Sequence, residues 1–271
     1  MSDLLKSEDK TPQFLTHLML TAPPEAIKAN QDLACSELSS ATKNNEQNPE
    51  AKASIEILIT KLADRGAFEN VSMDFVQVVL DDMIWCAGKA KIPYRENATY
   101  ALGSLIKSNA ISDEILNDQI EKILPMILSS LDDSWADCVR VAGSVCMLEF
   151  VKRSKNDDKE FDKIYPAMKE RLDDHVIQVR LMAAKIFAIY LPKCADSPSI
   201  TDQELIPQKW NELFIFIDDD NEEIRAAAAD LVRSVAKVPK WKESVVKNLK
   251  EQKNFHPESN DLCQKIVSEL Q

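Results

Sequence analysis

Four arginines set the frame of this chain. Arg95, Arg140, Arg180 and Arg225 stand 45, 40 and 45 residues apart, and the sequence around the last three repeats itself. The stretches beginning at Ile120, Phe161 and Leu205 each read as an amphipathic helix, an acidic turn and a second amphipathic helix. The acidic pairs are Asp132-Asp133, Asp173-Asp174 and Asp218-Asp219, and Val139, Val179 and Ile224 precede the arginines. A weaker upstream copy runs from Leu80-Asp81-Asp82 to Tyr94-Arg95. A helical hairpin of this size cannot bury its apolar face alone, so it must stack on its neighbours. The spacing is that of HEAT or armadillo units rather than of the shorter tetratricopeptide unit.

The second helices test this reading position by position. Counting from the residue before each arginine, positions 0, 3, 4, 7, 8 and 11 share one helix face. They read Val139, Ala142, Gly143, Cys146, Met147, Phe150, then Val179, Met182, Ala183, Ile186, Phe187, Tyr190, then Ile224, Ala227, Ala228, Leu231, Val232, Val235. None is charged. The fifth residue of this count is small in every copy (Ala98, Gly143, Ala183, Ala228), which predicts a close approach of two helix backbones there. Pro125, Pro166 and Pro207 fall within the first helices and predict bends.

Composition points the same way. Only 4 of 271 residues are glycine, when average usage gives about 19. Phosphate loops and tight β-turns need glycine at positive φ, so the chain is expected to be all-α. The predicted architecture is a HEAT-repeat α-solenoid, a right-handed superhelix of stacked helical hairpins. Residues 1–10 are expected to form a flexible tail, 11–90 degenerate helical repeats, 75–253 regular HEAT repeats and 254–271 a C-terminal capping helix. In the N-terminal third, helices are predicted near 11–20, 24–42, 50–66 and 72–90.

The function classes narrow in parallel. Against 33 basic residues stand 45 acidic ones, a net charge of −12, which argues against nucleic acid or an anionic membrane as partner. No apolar run is long enough to span a bilayer. Six cysteines without a CxxC pair suit reduced thiols of a cytoplasmic protein. The three histidines are far apart in sequence, no metal-ligand spacing or phosphate loop is present, and no cofactor, metal or enzymatic activity is expected. The run Asp218 to Glu223 imitates a calcium loop but lacks its glycine and its closing glutamate. The recurring Asp132, Asp133, Arg140, Asp173, Asp174, Arg180, Asp218, Asp219 and Arg225, with Arg95, are instead read as a structural ladder. Its aspartates cap helices and its arginines bridge units.

Two features predict protein binding. Trp210, Leu213, Phe214 and Ile217 complete an inward stripe, which leaves Ile215 and Phe216 on another side as a candidate contact. Residues 196–224 hold nine acidic side chains and one lysine, whereas residues 233–253 hold seven basic side chains and two acidic ones. Lys240, Lys242, Lys247 and Lys250 are the candidates for electrostatic docking of a partner.

The segments Lys163-Ile164-Tyr165-Pro166, Arg171-Leu172-Asp173-Asp174 and Val179-Arg180-Leu181-Met182-Ala183-Ala184 closely resemble the C-terminal HEAT units of the dynein axonemal assembly factor 5 family. Trp85-Cys86-Ala87-Gly88-Lys89, before a helix beginning at Tyr94-Arg95, is similar to the same family, and the resemblance covers roughly residues 75–270. It implies a non-enzymatic cytoplasmic scaffold for assembly of axonemal dynein arms, with dynein arm subunits, other assembly factors or chaperones as partners. Family members are much longer, so the chain corresponds to their last part. The alternatives are a general HEAT adaptor (a regulatory subunit, transport adaptor or tubulin-binding module) and a helical-repeat enzyme.

Overall fold

Short polar side chains begin many of the helices. Thr11, Asn48, Ser72, Ser112 and Asn221 each accept a hydrogen bond from a backbone N–H of the following first turn, which satisfies donors that the helix itself cannot. The computed structural model describes residues 11–155, 158–196, 205–252 and 254–271. The tail expected at 1–10 lies outside the described residues. The chain folds as two units, Met1–Ser154 and Lys155–Gln271, and among the described residues there is no strand.

In the first unit the helices are α1 (Pro12–Thr21), α2 (Pro24–Lys28), α3 (Gln31–Asn44), α4 (Pro49–Asp64), α5 (Met73–Met83), α6 (Ile92–Lys107), α7 (Asp113–Asp118), α8 (Ile120–Leu131) and α9 (Asp137–Arg153). The hairpins α3–α4, α5–α6 and α8–α9 stack in two layers. Helices α4, α6 and α9 form one layer, and α3, α5 and α8 the other. Leu58, Ile59 and Leu62 of α4 are buried, as are Leu102 and Leu105 of α6 and Cys146, Met147 and Phe150 of α9. Gly143 is required by packing rather than by its backbone angles. A Cβ there would stand 3.0 Å from the backbone of Ser130 and Leu131, so α8 and α9 touch main chain to main chain.

The second unit contains α10 (Asp158–Leu172), α11 (Ile177–Lys193), α12 (Leu205–Phe214), α13 (Glu222–Ala236), α14 (Pro239–Glu251) and α15 (Pro257–Leu270). These pair as α10–α11, α12–α13 and α14–α15, with α11, α13 and α15 in one layer. Its core is aromatic. The Trp210 ring stacks on Phe214 at 5.2 Å and meets Trp241 edge-on at 5.7 Å, while its Nε1–H donates to Ser244 Oγ at 3.0 Å. Phe161, Tyr165, Phe187 and Tyr190 form a second cluster between α10 and α11.

The inward positions of the second helices are buried in all three regular copies, except that Met182 is half-buried. Three expectations differ from the structure. The helix predicted over 24–42 breaks after Lys28, where the Asn30 side chain donates to the Ala26 carbonyl and competes with the helical ladder. The helix predicted over 72–90 ends at Met83, and an irregular segment follows. Gly88, at φ +112, closes that segment in a conformation that only glycine adopts freely. The pair Asp81-Asp82 therefore lies inside α5 instead of in a turn, and Asp82 is buried.

Candidate protein-docking surfaces

One construction recurs at the turns within hairpins. The second aspartate of each acidic pair folds its carboxylate back over the turn. Asp133 Oδ1 accepts the N–H groups of Trp135 and Ala136 at 2.9 and 3.0 Å. Asp174 Oδ1 takes that of Val176 at 2.9 Å and Asp219 Oδ1 that of Asn221 at 2.8 Å. The arginine that follows donates to the carbonyl of the same aspartate, at 3.0 Å for Arg140 and 2.9 Å for both Arg180 and Arg225. Each turn is thus closed by its own aspartate and its own arginine.

Arg95, Arg180 and Arg225 also reach the next hairpin. In the first unit Arg95 Nη2 donates to Asp133 Oδ2 at 2.6 Å, and both side chains are only 2 % exposed. Its Nη1 donates to the Cys86 carbonyl at 2.9 Å. In the second unit Arg180 Nε lies 3.2 Å from Asp219 Oδ2, with 19 % and 12 % exposure. Arg140 pairs with Asp137 of its own helix at 2.9 Å, and Arg225 lies 3.7 Å from Glu258. The first members of the pairs depart from the expected ladder. Asp132 and Asp173 are exposed, because only one carboxylate of a pair can fold back onto the turn. Asp218 accepts instead from the His256 backbone N–H at 2.9 Å. Hydrogen bonds from Ser259 and His256 outweigh its desolvation and hold its carboxyl below the usual range.

Among the residues predicted to contact partners, Ile215 is 55 % exposed and Phe216 half-buried, in a 3-10 turn spanning Ile215–Asp218. Trp210, Leu213, Phe214 and Ile217 are buried. Lys242, Lys247 and Lys250 are exposed on α14. Lys240 does not belong with them, because its Nζ donates to the Ala195 carbonyl and lies 3.4 Å from Asp196. Arg233 is likewise occupied, by Glu269 at 2.7 Å, and Lys253 lies outside the described residues.

Two features of the first unit escape a reading by repeats. The irregular segment after α5 presents Ile84 and Trp85, and the Trp85 ring meets Trp135 of the next turn edge-on at 6.2 Å. Their signal in the sequence is a tryptophan at each of two successive turns, where core packing needs none. The second is a cavity of about 560 Å³ lined by Thr42, Lys52, Asp82, Cys86 and Tyr94 among others. Behind it Lys52 pairs with Asp82, and Glu56 is fully buried. Burial, with the Asp82 charge adding, pushes the Glu56 carboxyl well above its usual range. The Lys52 ammonium also stands 4.9 Å from the Tyr94 ring centre.

Cys35, Cys138, Cys146 and Cys263 sit in surroundings that raise their thiols. Burial, with Asp32 adding, pushes Cys35 up to about 12, and burial with Glu96 pushes Cys138 up to about 11. A nucleophilic cysteine needs the opposite. Among the described residues there is no group of three or more His, Cys, Asp or Glu side chains that could hold a metal ion, and no helix is long and apolar enough to cross a membrane.

Known proteins agree with this architecture. Dynein axonemal assembly factor 5 of Mus musculus is 26% identical over 168 residues, covering 59% of this chain and 20% of that protein. Its Homo sapiens counterpart is 27% identical over 169 residues, covering 61% of this chain and 19% of that protein. The chain spans about a fifth of the length of these relatives. The crystal structure of an archaeal HEAT-like repeats protein from Thermococcus onnurineus NA1 superposes with a TM-score of 0.54 at 14% identity, over 97% of this chain and 98% of that one. Residues 52–203, more than half of the chain, match the family model described as GCN1-like, C-terminal HEAT repeats, and the chain belongs to that family.

Proposed function

We propose that this chain is a non-enzymatic HEAT scaffold acting in the cytoplasmic pre-assembly of axonemal dynein arms. The observation that carries this reading is its similarity to the two assembly factors over about 60% of its length. The fold supports it. Stacked hairpins leave their turns and outer helix faces available to other proteins, and the raised thiols speak against a cysteine nucleophile. Partners are then dynein arm subunits and other assembly factors or chaperones. In this reading α15 acts as the capping helix and the Arg–Asp pairs keep the hairpins in register. Removing the protein from a ciliated or flagellated cell is expected to deplete dynein arms from the axoneme by electron microscopy. Arms present in normal number would overturn the reading.

A second reading, a HEAT adaptor with no ciliary role, is favoured by the matched family being described through GCN1-like repeats. Comparable expression in cells without cilia, with an unchanged partner set, would select it.

A further inference from the structure

We propose that the Trp85–Trp135 pair, with Ile84, is a docking site for a partner segment that carries an arginine or lysine beside a bulky apolar side chain. The proposal rests on the reading of the chain as a protein-binding scaffold and names the surface and the partner chemistry. Ile84 and Trp135 are each 54 % exposed and Trp85 is 45 % exposed. Two neighbouring turns within hairpins therefore offer one apolar surface, with the rings already in edge contact. Nothing in the packing of α5, α6, α8 or α9 requires this, since their inward faces are filled by other residues.

The two turns are fixed from beneath by one side chain. Arg95 donates through Nη1 to the carbonyl of Cys86, the residue after Trp85. Through Nη2 it holds Asp133, whose other oxygen accepts the N–H of Trp135. Both backbones that carry the tryptophans thus hang on a single buried guanidinium. A surface already ordered before binding loses less entropy when a partner arrives, and tryptophan is the residue most enriched among those that dominate binding energy.

Charge selects the occupant. Trp135 stands between Asp132, exposed in the same turn, and Asp137, whose carboxylate is 58 % exposed while paired with Arg140. An aromatic face flanked by carboxylates attracts a cation through both the ring and the acids. Lys89 and Lys91 are exposed in the segment that follows Trp85, so the cation belongs over Trp135 and the apolar side chain against Trp85 and Ile84.

The test uses the full chain and a synthetic 12-residue peptide of alternating leucine and arginine, with the same peptide carrying glutamate for arginine as control. Binding is followed by anisotropy of a dye on the peptide. The arginine peptide is expected to bind at least tenfold tighter than the glutamate peptide. Trp135→Ala and Trp85→Ala should each weaken it at least fivefold while the melting temperature stays within a few degrees. Neither substitution alters net charge, so general attraction to an acidic protein is unaffected by them. Asp132→Lys should weaken it as well. Equal binding of the two peptides, absence of binding, or tryptophan variants that bind like the parent would each overturn the proposal. Loss of dynein arms on removal of the protein, together with tryptophan variants that restore them fully, would sink this surface while leaving the scaffold reading intact.

Discussion

The two units hold equivalent turns with the same pair of residues at different depths. Arg95 and Asp133 in the first unit are almost wholly buried and 2.6 Å apart, whereas Arg180 and Asp219 in the second are partly open to solvent, at 3.2 Å. The chemistry is identical, yet its consequences are not. A buried pair contributes little beyond what a well-packed apolar pair of the same shape would, but losing one member strands a charge in the interior. An open pair is screened by water and salt and is correspondingly mild in both directions. The same sequence signature therefore marks a brittle joint in one unit and a forgiving one in the other.

Arginine removal puts this contrast to its hardest trial. Arg95→Ala leaves the Asp133 carboxylate buried without its partner and frees the Cys86 carbonyl, so a loss of about 3–5 kcal/mol is expected. Arg180→Ala should cost about 1–2 kcal/mol, and its effect should shrink further in high salt. Chemical denaturation of both variants decides the matter. Equal losses would mean that burial does not separate the two joints.

Backbone proximity offers a second comparison at matched positions. Gly143→Ala in the first unit puts a methyl group against the main chain of Ser130 and Leu131, which has no flexible side chain to move aside. Ala183→Leu overpacks the corresponding place in the second unit, where Ala183 is fully buried. Each is expected to cost about 1–3 kcal/mol. An unchanged melting temperature in either would refute the common register given to the two helices.

A difference in titration follows from the interior of the first unit. The folded pKa of Glu56 lies above its ordinary value, chiefly through burial. A group raised in this way stabilises the fold below its unfolded pKa and loses that contribution as pH rises through the folded value. Denaturation of the parent should therefore show stability falling as pH climbs above the ordinary glutamate range. Glu56→Gln keeps the size of the side chain but carries no titrating proton, so that dependence should flatten and the variant should gain stability at neutral pH. The Asp82 carboxyl is also raised by burial, although Lys52 opposes this, so a residual slope of the same sign remains. A variant that follows the parent at every pH would show that Glu56 is not the titrating group.

What could be read from the sequence was whatever repeats. The helix–turn–helix order, the inward positions and the small residue where helices touch recur in several copies, and one helical period extracts them. Where a copy departs from its siblings, the pattern misleads. Asp81-Asp82 imitates the acidic pair but falls within α5, because Gly88 moves the turn several residues onward. Lys52 and Glu56 belong to no recurring motif, yet both are buried and Lys52 pairs with Asp82. Ile215 follows from counting an apolar face, whereas the Trp85–Trp135 contact joins residues fifty apart. Only the stacking of two hairpins creates it.

The charged face of the second unit gives the smallest expected effect on folding. Lys242, Lys247 and Lys250 are exposed on α14, and Glu243 and Glu251 are exposed on the same helix. Reversing all three lysines to glutamate moves the net charge from −12 to −18, and each exposed substitution should change stability by no more than about 0.5 kcal/mol. Lys240 is left out, because its bond to the Ala195 carbonyl would confuse folding with binding. If α14 docks an acidic partner, the triple variant should lose that contact and slow its association most at low salt, where steering is strongest. Trp85→Ala with Trp135→Ala should spare the same contact. A partner lost only to the lysine set would give the two units separate binding duties, whereas one lost to both sets would refute that separation.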